Sequence, residues 1–103
     1  MPLHNPASAS VTFPTSSSIS ATGIPGATSS TSLLASNASR KGATIFNNST
    51  ADLYVELGGT ASTTAFAVKL DPGGYFEVPY SYTGAIAGIW SAANGTALVR
   101  EYT

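Results

Sequence analysis

The chain has 103 residues, no cysteine, a single histidine and 9% charged residues, with a net charge of −1. Disulfides are excluded, a metal centre would have only His4 as a histidine ligand, and no basic patch beyond Arg40-Lys41 attracts nucleic acid. Charge so far below the ~25% usual for globular domains, beside 43% hydrophobic residues, predicts a surface largely covered by neighbours.

Residues 1–39 contain no Asp, Glu, Lys or Arg and are dominated by Ser, Thr, Ala and Pro. Pro2, Pro6, Pro14 and Pro25 rule out a long helix, and the Ser/Thr runs favour extended or irregular backbone. Such composition often stays disordered. Yet apolar residues recur singly along it: Leu3, Val11, Phe13, Ile19, Ile24, and then Leu33 and Leu34. The sharper expectation is a strap lying along another protein, each apolar side chain dropping into a shallow pocket. The N-terminus lacks a basic stretch followed by an apolar one, and no apolar run approaches ~18 residues. Neither a signal peptide nor a membrane span is expected.

From Arg40 the pattern changes to apolar alternation with period 2, the mark of half-buried strands. It predicts strands over 43–46, 51–57, 64–70, 75–79, 85–90 and 97–102. Leu53, Val55 and Leu57 share one face of the second, and Phe66, Val68 and Leu70 one face of the third. Phe76, Val78 and Tyr80 stand together in the fourth, opposite Tyr75 and Glu77. The last leaves its inward face open between Leu98 and Val99. Asn47-Asn48-Ser49-Thr50, Gly58-Gly59, Asp71-Pro72-Gly73-Gly74, the stretch 81–84 and Asn94-Gly95 supply turns, the last being a hairpin signal.

The expected fold is all-β: a small antiparallel β-sandwich or barrel of about six strands, with a long extended N-terminal arm. The division is an arm over 1–39 and a β domain over 40–103. A domain of ~60 residues is marginal alone, so oligomerisation or docking on a partner is expected.

No residue pattern calls for catalysis or a cofactor. His4 has no acid near it in sequence, and no nucleophile motif surrounds any serine. Asp71 reads as a turn cap, while Asp52, Glu56 and Glu77 read as outward charges beside Lys69 or Arg100. Arg40 and Lys41 form a junction, open to acidic groups of a partner or to solvent. Tyr75, Phe76, Tyr80, Tyr82, Trp90 and Tyr102 could form a sugar-stacking platform, and Tyr54, Tyr75, Tyr82 and Trp90 are candidate interface aromatics, though Trp90 is suited above all to anchoring the small core.

The stretches RKGATIFNNSTADLYVELGG, AVKLDPGGYFEVP and YTGAIAGIWSAANGTALVREYT, spread over residues 40–103, resemble small structural proteins of tailed bacteriophages. The shared features are a basic-glycine entry to a strand, an apolar-PGG-aromatic turn and a GIW-small-ANG segment. The resemblance implies a non-enzymatic virion protein, above all a capsid decoration (cement) protein. Its partners would be the major capsid protein or another virion protein, and further copies of itself, with neither nucleic acid nor membrane involved. The arm would strap neighbouring capsid subunits. The alternatives are a receptor- or glycan-binding module of a tail or fibre, or a neck or tail accessory protein.

Overall fold

The computed structural model describes residues 15–103. Its regular elements are eight strands: β1 (Ile19–Pro25), β2 (Thr31–Leu34), β3 (Gly42–Asn48), β4 (Leu53–Glu56), β5 (Val68–Leu70), β6 (Tyr75–Glu77), β7 (Ile86–Trp90) and β8 (Thr96–Tyr102). They form two four-stranded antiparallel sheets, ordered β1-β8-β3-β6 and β2-β7-β4-β5. The first is called sheet A below and the second sheet B. The expected all-β antiparallel class is the observed one.

Period-2 alternation builds the core. Ala43 and Ile45 of β3, Leu53 and Val55 of β4, and Ala97 and Val99 of β8 all point inward. Ile86 and Trp90 of β7 complete the filling, and Trp90 is 1% exposed. Its indole N–H has no acceptor among the described residues.

Two expectations about chain organisation are corrected. The boundary after residue 39 is not structural, because β1 adds a strand to sheet A and β2 adds one to sheet B. Leu33 is buried in the core, and Ile24 and Leu34 pack against it, so these side chains anchor in their own domain rather than in a partner. The extra sixteen or so residues of strand and turn enlarge a body that would otherwise bury too little surface. Leu3, Val11, Phe13 and His4 lie outside the described residues.

Asn94-Gly95 is also not a hairpin turn, since β7 and β8 lie in different sheets. Gly95 has φ of 60°, and a Cβ there would strike the Asn48 carbonyl, so glycine is required where the chain changes sheet. Of the consecutive strands only β4 and β5 pair with each other; each other connection changes sheet. The third predicted strand is shortened to β5, because the Ser62 hydroxyl takes the N–H of Ala65 at 2.9 Å and folds 62–65 into a side-chain-closed turn.

Two buried polar side chains bind the layers. Asn47 is fully buried; its amide donates to the carbonyls of Ala51 (2.7 Å), Leu70 (2.9 Å) and Asp71 (3.2 Å), and its Oδ1 accepts from Ser49 (2.6 Å). Arg40, expected at an open junction, is instead 3% exposed. Its guanidinium pairs with Glu101 (2.9 Å) and donates to the carbonyls of Gly84 (2.7 Å) and Ala35 (2.6 Å). Asn37 donates to the other Glu101 oxygen at 3.2 Å. The segment after β2, the loop before β7 and the end of β8 are thus tied to one side chain.

The surface charges behave more simply. Lys69 lies 3.6 Å from Asp52 and 3.9 Å from Asp71, exposed pairs worth under ~1 kcal/mol each. The Asp71 carbonyl, rather than its carboxylate, takes the Gly74 N–H across the turn.

Candidate functional site

The strand register of sheet A fixes what its outer face presents. Gly23, Leu98, Phe46 and Tyr75 form one row across β1, β8, β3 and β6. Ala21, Arg100, Thr44 and Glu77 form the next, and Ile19, Tyr102 and Gly42 the one after. Alternation makes this face inevitable: with Ala43, Ile45, Ala97 and Val99 inward, the intervening residues must point out. Nothing among the described residues covers it.

One corner of the face is concave. Lys41, Thr44, Tyr75, Glu77, Tyr80 and Tyr102 surround a groove of about 320 Å³. Its floor is open because Gly42 has no side chain, and the Tyr102 ring lies against that glycine, 3.7 Å from where a Cβ would sit. Tyr75 and Tyr80 are 56% and 61% exposed, a large aromatic area for solvent to wet. The Tyr75 hydroxyl donates to Glu77 at 3.2 Å. Desolvation of the ring, and then the Glu77 carboxylate, raise its phenol above the ordinary 10.0, so it remains a neutral donor at physiological pH. The groove therefore combines flat aromatic faces with one cation, one carboxylate and hydroxyl groups.

The aromatics expected at an interface separate. Tyr75 is exposed in the groove. Trp90 is core, because its strand runs through the middle of sheet B. Tyr82 is half-buried against the core, and its hydroxyl donates to the Ala85 carbonyl at 2.6 Å, closing the loop before β7. Tyr54 lies on the outer face of sheet B, edge-on to Phe66 with centroids 4.9 Å apart. Lys41 lines the groove, whereas neighbouring Arg40 is buried. Ile19 is the one described arm residue of the expected set left open, at 60% exposure.

Of the six aromatics expected as a stacking platform, Tyr75, Tyr80 and Tyr102 meet in this groove, while Trp90 is in the core and Phe76 and Tyr82 pack against it. Tyr80 was expected beside Phe76 and Val78, but β6 ends at Glu77 and releases it to solvent. Only the register of β8 against β3 brings Tyr102 beside Gly42. Among the described residues no group of three His, Cys, Asp or Glu is placed to hold a metal ion. No family model, curated protein or solved structure matches this chain.

Proposed function

We propose that the protein is a non-enzymatic structural component of a phage virion that decorates an assembled protein shell, docking through the outer face of sheet A. The observation that carries the reading is that face: apolar and aromatic rows from Ile19 to Tyr75, interrupted by few charges and covered by nothing among the described residues. The resemblance of residues 40–103 to tailed-phage structural proteins supports the virion setting. Docking of this kind favours the shell by mass action, since the protein binds assembled subunits and not dissociated ones. Many copies add their weak contacts over one surface.

The strap part of the expectation now narrows. Deleting residues 1–39 would remove β1 and β2, and with them Leu33 from the core, so it tests folding rather than docking. The informative truncation ends at residue 14. Purified protein is expected to co-sediment with undecorated shells at a saturating ratio near one copy per capsid subunit or per local symmetry axis. Tyr75→Asp combined with Tyr80→Asp should weaken that binding about tenfold or more, because an unpaired carboxylate would be desolvated on docking. Shell binding untouched by this double variant would sink the face as the docking surface.

The tyrosine groove favours a second reading, a glycan-binding module. Sugar rings present C–H faces that stack on tyrosine, with hydroxyl groups for Lys41, Thr44 and Glu77. In that case Tyr75→Ala should reduce retention on immobilised host-surface polysaccharide severalfold while particle incorporation stays unchanged. Equal retention of the variant and the original chain would remove this reading.

A further inference from the structure

We propose that β1 is a self-association edge, joining two copies of this chain antiparallel so that their A sheets become one continuous eight-stranded sheet. Among the described residues four strands lie at sheet edges: β1, β6, β2 and β5. Unpaired edges invite strand addition, and proteins guard them with shortness, charge or bulges. Three of the four are guarded. β5 and β6 have three residues each, with Lys69 in one and Glu77 in the other. β2 has four residues and a register shift between Ser32 and Leu34. β1 has seven residues, no charged residue, and side chains exposed at all positions but one.

Its hydrogen-bonding groups are arranged for a partner. The Thr103 N–H donates to the Ser18 carbonyl and the Gly26 N–H to the Gly95 carbonyl, both at 2.9 Å. In an antiparallel ladder such pairs recur at every second residue, so Ser20, Thr22 and Ile24 bond to β8. Ile19, Ala21 and Gly23 therefore turn their N–H and C=O groups to the open edge. Pro25 has no N–H to offer, and its place at the strand end leaves those three undisturbed.

Side chains select the occupant and the register. A strand without charge meets a copy of itself with no like-charge repulsion, whereas a charged edge gains nothing from it. A twofold axis through Ala21 sets Ile19 opposite the partner's Gly23. The gap over each Gly23 is bordered by the Leu98 side chain, 4.0 Å from where a Cβ would lie, and is open to the isoleucine across the joint. The exposed Ile19 is then covered at both ends of the joint. Ile19, Ala21 and Gly23 each donate and accept once, giving about six hydrogen bonds across the axis. An isologous twofold contact of this kind closes on itself and does not propagate to fibres. The inference stands apart from virion docking, since it concerns the free protein.

The test is size-exclusion chromatography with light scattering over a dilution series, with residue-resolved amide exchange. The original chain should have twice its 10.4 kDa mass at the concentrated end of the series. Ala21→Pro removes an N–H that β8 does not use, and Ala21→Lys brings two ammonium groups together at the axis. Both should return the mass to 10.4 kDa with an unchanged circular dichroism spectrum. The amides of Ile19, Ala21 and Gly23 should be protected in the original chain. Those of Ile19 and Gly23 should exchange fast in Ala21→Lys, while Thr22 and Ile24 stay protected in both. A monomer throughout the series, a dimer that persists in both variants, or fast exchange at the odd positions of the dimer would each overturn the proposal.

Discussion

Arg40→Ala should cost about 3–5 kcal/mol of folding stability, the range seen when one member of a buried, hydrogen-bonded ion pair is removed. The guanidinium side chain is fully buried, while the Glu101 carboxylate is 14% exposed. Truncation leaves that carboxylate without its cation, and leaves the carbonyls of Ala35 and Gly84 without their donors in a partly buried site. Small domains have ~0.05–0.15 kcal/mol of stability per residue, so the variant is expected at or past the edge of folding. Arg40→Lys should recover only part of the loss. One ammonium cannot reproduce a planar fork that reaches a carboxylate and carbonyls from three segments. Urea unfolding followed by Trp90 fluorescence is the measurement, Trp90 being the chain's single tryptophan. A midpoint shift equivalent to less than ~1 kcal/mol would mean that Arg40 is not a staple.

What could be read in the sequence follows from which contacts are local. β3, β4 and β8 announce themselves because Ala43/Ile45, Leu53/Val55 and Ala97/Val99 alternate with polar neighbours, and one face of each strand is core. β1 carries no such signal. It lies at an edge with nearly every side chain exposed, so its sequence looks like disordered chain. What holds β1 is backbone pairing with β8, some 80 residues further along, and backbone pairing leaves no trace in side-chain pattern. Arg40 is illegible for a related reason. Beside Lys41 it reads as a solvated pair, and only Glu101, 61 residues later, accounts for its burial. Asn94-Gly95 carries the local chemistry of a tight turn, but local chemistry does not say whether the strands it joins share a sheet.

The same distinction applies to the candidate site. Tyr75 could be chosen from its place opposite Phe76 and Val78, because strand alternation sends it outward. The groove itself needs Tyr102 from β8 and Lys41 from the approach to β3, which the register assembles. Trp90 is legible as core from its small and apolar strand neighbours, and a strand in the interior of sheet B leaves it no solvent. The functional face is thus the complement of the core, and becomes visible once the inward residues of sheet A are fixed.

The second large effect is expected at Asn47, another residue whose turn-like setting hides a buried role. Asn47→Ala removes a fully buried donor shared by the carbonyls of Ala51, Leu70 and Asp71, and should cost about 1–3 kcal/mol, with Asp71 keeping the Gly74 N–H and Ala51 the Ser49 hydroxyl. Asn47→Asp is almost isosteric, yet at neutral pH it should be worse. From a fully buried position it points a carboxylate at three carbonyl oxygens, and desolvation and repulsion together raise the pKa of the new acid in the folded state. A raised folded pKa means that the folded protein binds the proton more tightly than the unfolded chain. The penalty is therefore least below the unfolded value of about 3.9 and grows as pH rises through the folded value. Protonated, the acid regains one donor and approaches the alanine variant. Urea midpoints of the two variants should converge between neutral pH and pH about 4, with Asn47→Asp the less stable at the upper end. Parallel pH curves for the two variants would show that the side chain at this position does not face the three carbonyls in solution.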